Sequence, residues 1–387
     1  MRMQLRFTFF ILLISCNLIF SQEKEPEYKR DKIKTDFFIN YYNQDGDHSP
    51  VTGGKGTEEQ TIIAPTLLLN IPTSKNTILD MNIGIDNISS ASTDNIDGSV
   101  SSASKDDNRF HSNAWFTYKL KNSNQTIGVM TGLSLEYDVD SIHIGGKWTI
   151  NSNDDNKSFD VTAKYFHDQW DLYYPIELRP FADTLLKDDV RRSSYLSFTY
   201  SQVLTKKLQA SVSTDFIFQS GLLSTPFHRV YFDDGNVDIE RLPDSRFKIA
   251  SGFRFHYFIN STVSSRLFYR FYWDDFGIIA NTIELEVPIK IGSLWTVIPS
   301  FRFNQQSESD YFGAFQTHAP GSEFHTSDYD LAKTNSSLLG IHIRFTPIWN
   351  NFLKFFNSDS FDLRTSYYDR DDGLTGFTIS AGTSISF

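Results

Sequence analysis

Hydrophobic and polar positions alternate with a period of two along most of this chain. Between Gly376 and Phe387 one set reads Phe377, Ile379, Ala381, Thr383, Ile385 and Phe387, and the other Thr378, Ser380, Gly382, Ser384 and Ser386. Leu79, Met81, Ile83 and Ile85 alternate in the same way with Asp80, Asn82, Gly84 and Asp86. This period sets one group on each face of a β-strand, whereas a helix repeats about every 3.6 residues. Bounded by polar and Gly-rich turns, the pattern predicts strands over 34–44, 59–71, 77–87, 110–121, 125–138, 141–150, 158–167 and 194–204. It continues over 208–219, 247–258, 262–273, 277–289, 295–305, 336–345, 360–368 and 376–387, about 16 strands in all. The segment 347–358, with its run WNNFLKFF, predicts a short amphipathic helix instead.

The connections sort by parity. The long ones, 45–57, 89–108, 168–192, 220–246 and 306–335, all follow odd-numbered strands, and those after even strands are mostly short. A soluble sandwich has no reason to sort its loops so. An outer-membrane barrel does, with short periplasmic turns, long outer loops and an even strand number. The expected fold is therefore all-β, a single-domain transmembrane antiparallel β-barrel over 34–387 with both termini on the periplasmic side. The ending resembles the C-terminal signal, with its terminal Phe, that barrel-assembly machinery recognises. Composition agrees, with 35 Phe and 18 Tyr against 12 Pro. No apolar run near 18 residues follows the N-terminus, so spanning helices are not expected. Tyr41, Tyr42, Tyr137, Trp148, Trp170, Tyr272, Trp273, Trp295 and Tyr368 fall near strand ends. Interface girdles account for them without invoking sugar-stacking platforms.

Met1 to Ser21 has the form of a cleaved secretory signal, with Arg2 and Arg6 ahead of an apolar core from Phe7 to Phe20. A charged periplasmic lead, 22–33, follows. Leu13-Ile14-Ser15-Cys16 resembles a lipoprotein box, but Asn17-Leu18-Ile19-Phe20 stays mostly apolar where a lipoprotein turns polar. With ordinary cleavage the mature chain has no cysteine and no disulfide.

Formal net charge is -11, which argues against a nucleic-acid partner. If the apolar face of each strand meets lipid, the other face lines a charged interior. Later strands supply Lys248, Arg254, Arg266, Arg270, Arg302, Arg344 and Arg364, with Glu284 and Glu286 among them. Earlier strands supply Asp36, Asp80, Asp86, Glu136, Asp160 and Asp215, with Lys119, Lys147 and Lys164 as exceptions. A basic wall facing a partly acidic one orients polar solutes, as in general porins. The alternative is that these charges pair with one another and fill the interior. The loops add Asp45, Asp47, His48, Arg229, Arg241, Asp244 and Arg246 as binding candidates. Asp45, Asp47 and His48, the group Asp233, Asp234, Asp238 and Glu240, and the run Asp369 to Asp372 raise the thought of a hard cation. Calcium-loop spacing is absent, so they read as ordinary acidic surface loops. His111, His143, His167, His256 and His342 show no metal-ligand spacing. There is no nucleophile elbow, phosphate loop or dinucleotide fingerprint, and no cofactor is expected.

The strings YYNQDGDHSPVTGGKGTEE (Tyr41 to Glu59), YPIELRPF, SQVLTKKLQ, STPFHRVYF and ERLPDSR (Glu240 to Arg246) resemble an uncharacterised family of large bacterial outer-membrane barrels. The resemblance covers nearly the whole mature chain. It implies an outer-membrane location and lipid contact, and it assigns no activity or catalytic residue. Genes of that family often lie near a flavin-attaching enzyme and a small lipoprotein, which implies an export or redox link. The expected function is a porin-like channel for small polar solutes. The alternatives are a plugged barrel that docks or assembles envelope components, through strings that brace the lumen, and an outer-membrane hydrolase with Ser or Asp beside His.

Overall fold

The computed structural model describes residues 32–91, 107–178, 184–348 and 358–387. The signal segment 1–21, Cys16, the lead as far as residue 31 and the helix expected in WNNFLKFF lie outside the described residues, as does most of the 89–108 loop. The first half of the wall is β1 (Lys34–Asp45), β2 (Glu59–Ser74), β3 (Thr77–Ala91), β4 (Asp107–Lys119), β5 (Gln125–Leu135), β6 (Val139–Asn151), β7 (Lys157–Asp171), β8 (Asp188–Thr205) and β9 (Leu208–Gly221). Two short strands, β10 (Arg229–Tyr231) and β11 (Val237–Ile239), form a hairpin inside the next connection. The wall resumes with β12 (Ser245–Phe258), β13 (Ser264–Asp274), β14 (Ile279–Glu286), β15 (Ile289–Ile291), β16 (Trp295–Gln306), β17 (Thr334–Phe345), β18 (Ser358–Arg370) and β19 (Thr375–Ser386).

Each wall strand pairs antiparallel with its neighbours. β9 joins β12, and β19 pairs with β1 from Lys34↔Ser386 to Asp45↔Thr375, which closes the sheet. Counting β14 with β15 as one strand, the wall has 16 strands. The interruption falls at Val287 and Pro288, where proline has no N–H for the ladder. Closure leaves no free edge, which is what a spanning sheet requires.

Register fixes the two faces. Phe37, Ile39 and Tyr41 point one way, and Asp36, Asn40 and Tyr42 the other, with Asn40 paired to Ala64 and Ser380. The apolar set is the exposed one: Ile39, Ile63, Val129, Ile144 and Leu339 are 47% to 63% accessible. Apolar surface laid bare over mid-strand positions all round a wall suits acyl chains. Among the described residues no helix is long and apolar enough to cross a membrane.

Strand edges depart from the expected ones in a few places. β5 stops at Leu135 because Glu136 N–H bonds Val139 O (2.9 Å) in a tight turn, so Glu136 sits at the mouth, not in a strand. β7 and β8 extend to Asp171 and from Asp188, which shortens the connection between them.

Candidate functional site

On the interior face of β12 to β18, cations and carboxylates interleave. Arg266 pairs with Glu286 (3.1 Å), Arg302 with Glu284 (2.7 Å), and Arg344 with Asp362 (2.8 Å), which also meets His342 (2.5 Å). Arg246 pairs with the fully buried Asp274. Arg254 lies over Phe268, Arg270 over Tyr272 and Arg364 over Phe38, at 4.7, 5.9 and 5.7 Å from the ring centres. Among the described residues these last three have no carboxylate within ion-pair distance. Ring stacking orients a guanidinium without neutralising it. Arg266, Arg302, Arg344, Arg364, Glu284 and Glu286 border one cavity of about 400 Å³.

Across the barrel the acidic positions are largely engaged. Asp86 pairs with Arg109 (2.5 Å), Asp160 with Lys147 (3.3 Å), and Asp168 with Arg191 (2.9 Å). Asp215 accepts from Tyr195 (3.0 Å) and Asp80 from Asn70 (2.5 Å). A cavity of about 590 Å³ lies here, with Asp36, Asp80, Trp115, His143 and Lys164 on its border. Lys119, at the end of β4 remote from the long connections, has no part in it. The second wall is thus closer to balanced than to acidic.

The mouth carries a structure of its own. Its parts are the loops 46–58, 172–178, 222–244 and 307–333, with the turn 371–374. Buried Arg229 donates to both oxygens of Glu177 (3.1 and 3.0 Å) and to Val51 O (2.8 Å). Phe232 bridges His318, and Arg241 bridges His325, through backbone pairing. His48 stacks on Tyr329 at 3.8 Å. Gly53 and Gly54 both take positive φ (79° and 80°), and a side chain at Gly54 would meet Ser327 O at 2.7 Å, so only glycine lets that strand of loop pass. Phe227, Val230 and Phe232 are buried with Val51 in a small core.

The position of this cap follows from connectivity. The β9–β12 and β1–β2 connections are separated by eight strands in either direction round the wall: β2 to β9 one way, and β12, β13, β14 with β15, β16, β17, β18, β19 and β1 the other. A bond from Arg229 to Val51 O therefore crosses the mouth. The strings YYNQDGDHSPVTGG, STPFHRVYF and the start of ERLPDSR meet in the cap, whereas SQVLTKKLQ lies at the opposite end, in the β8–β9 hairpin.

The loop candidates do not converge on one pocket. Asp45 ends β1, Arg229 is a buried clamp, Arg241 pairs with Asp238 (3.2 Å), Asp244 O accepts from Gly221 N–H (2.8 Å), and Arg246 belongs to the wall. Glu240, expected on an acidic surface loop, is only 4% exposed, because the 222–244 and 307–333 loops fold over it. Glu58, Asp328 and Asp330 cluster beside it and had no signal in the sequence, since three loops bring them together. Burial, then the Asp330 carboxylate, pushes Glu58 up to about 7. Burial and Asp330 likewise push Asp328 up. Burial opposes charge on His228, but Glu240 outweighs it and holds the imidazole above its ordinary value. Burial also opposes charge on Glu240, and His228, the Thr326 hydroxyl and the Thr225 N–H outweigh it. For hydrolysis, Ser360, Asp362 and His342 form a run, yet Asp362 lies between hydroxyl and ring, so the imidazole cannot take the hydroxyl proton.

A family model described as Protein of unknown function (DUF3570) matches residues 101–383, the greater part of the chain. The chain belongs to this family. A comparison with curated proteins finds no match. Among solved structures it is similar to a bacterial polysaccharide outer membrane secretin, at 10% identity and a TM-score of 0.48 over 91% of this chain and 98% of that one. It is also similar to a BenF-like porin from Pseudomonas fluorescens Pf-5 (7%, 0.44, over 92% and 99%) and to opdK from Pseudomonas aeruginosa (7%, 0.41, over 92% and 99%).

Proposed function

We propose that this family member sits in the bacterial outer membrane as a channel for small polar solutes, passing anions ahead of cations beneath a loop cap. A closed wall of this size leaves an aqueous interior unless something fills it. The observation that carries the reading is the set of Arg254, Arg270 and Arg364, held by aromatic rings at the interior face with no carboxylate partner among the described residues. Fixed cations beside balanced ion pairs favour anions.

Purified full-length protein in planar bilayers under a salt gradient tests this. The expected record is a conductance whose reversal potential lies toward that of chloride. Replacing all three arginines by glutamine is expected to cut the anion preference several-fold. Silence at every voltage sinks the channel. Conductance with unchanged selectivity in the variant sinks the role of the arginines. The cap that crosses the mouth favours a second reading, a docking component of an envelope export or redox system, and silence together with a recovered membrane partner would establish it.

A further inference from the structure

Three metal-ligating side chains from two of the long connections, 222–244 and 307–333, meet inside the cap. His228 Nδ1 and one carboxylate oxygen each from Glu240 and Asp328 lie within 4.8 Å of one another. His228 Nδ1 is shut off from solvent and has no hydrogen-bond partner among the described residues. It stands 3.9 Å from Glu240 Oε1, too far for a hydrogen bond. Glu240 is held in place from behind: Oε2 accepts from Thr225 N–H and Oε1 from the Thr326 hydroxyl, both at 2.6 Å. Each oxygen keeps a second lone pair, and such outer bonds are how proteins orient a carboxylate ligand. Asp328 uses Oδ1 to accept from Asp330 N–H at 2.9 Å, at the start of the turn Tyr329–Leu331.

The surroundings are short of positive charge. Glu58, Asp330 and Asp372 crowd the same region. Arg370 answers Asp330 (2.6 Å) and Asp372 (2.8 Å), and Asp372 Oδ2 is buried with no hydrogen-bond partner among the described residues. A buried imidazole nitrogen aimed at two carboxylates, in a pocket with excess negative charge, is the signature of a cation site.

We propose that His228, Glu240 and Asp328 bind one divalent first-row transition cation, of which Zn²⁺ is the probe, and that this ion clips the 222–244 loop to the 307–333 loop. One imidazole nitrogen with two carboxylates suits such an ion better than Mg²⁺ or Ca²⁺, which take oxygen ligands. Bonds of about 2.0–2.2 Å set tetrahedral ligands about 3.3–3.5 Å apart, so each side chain closes in by less than about 1 Å, and water takes the fourth position. Any proton on His228 leaves to solvent as the metal enters.

The test uses the full chain, without a polyhistidine tag, stripped by chelator and titrated with Zn²⁺ by calorimetry, with bound metal counted after dialysis. Co²⁺ loading gives an independent readout through its visible absorption. One equivalent of Zn²⁺ is expected, weakened at least ten-fold in His228→Gln and in Asp328→Asn. His256→Gln, on the barrel wall, is expected to bind as the parent does. Heat-modified gel mobility confirms that each variant is a folded barrel. Absence of stoichiometric Zn²⁺ binding by the folded parent overturns the site. Equal binding by His228→Gln, or binding of Ca²⁺ in place of Zn²⁺, overturns it as well.

Discussion

Glu58 shows how one residue couples the cap to pH. Its carboxyl is moved from an ordinary 4.5 to about 7, by burial first and then by Asp330. Below pH 4.5 it is neutral in both the folded and the open chain, and the part of the cap's stability that depends on Glu58 is fully present. Between 4.5 and 7 the open chain releases the proton while the closed cap retains it, so stability falls as pH rises, and levels off above that window. Asp328 and His228, both raised, act with the same sign, whereas Glu240, held low, weakens the cap only as acid protonates it. Amide exchange over 46–58, corrected for intrinsic rates, is therefore expected to quicken from pH 5 to pH 8. Glu58→Gln is expected to flatten the rise in part. An unchanged slope in that variant would remove Glu58 from the account.

Among elements, the β1–β19 seam closes the barrel and has the least room. Gly382 faces the interior opposite Phe38, and a Cβ there would run into the Phe38 ring, over which Arg364 lies. Gly382→Leu is expected to cost about 1–3 kcal/mol by overpacking, read from urea unfolding followed by gel mobility. It also displaces the ring that holds Arg364, so the anion preference should fall with it. β14 and β15 show the opposite solution, a ladder broken at Pro288 and carried on by Val287 N–H to Pro299 O (3.0 Å).

For the whole molecule, the outward face decides where the barrel can live. Ile144 lies mid-strand in β6 and is 63% exposed. Ile144→Arg is expected to destabilise the folded barrel in lipid by about 2–4 kcal/mol, measured by reversible denaturant unfolding from vesicles. An arginine tolerated there without cost would mean that this face does not meet acyl chains. The cap belongs to the same scale, since the Arg229 bond to Val51 O joins connections on opposite sides of the wall.

Period-two patterning by itself determined the wall. A strand buries or exposes alternate residues whatever its neighbours, so Leu79 to Asp86, or Phe377 to Ser386, announce their faces locally. Loop parity separated the end of the long connections from the end of the short turns, and alternation set Arg254, Arg270 and Arg364 on the face opposite the apolar one. Tertiary structure alone decided which charges pair. Arg302 with Glu284 and Arg344 with Asp362 depend on register between strands, which no single strand encodes. It also decided the cap. The β10–β11 hairpin is three residues a side, too short for periodicity to show. Glu177, His228, Glu240 and Asp328 are ordinary loop residues until long connections, free of any repeat, fold across the mouth and bury them together.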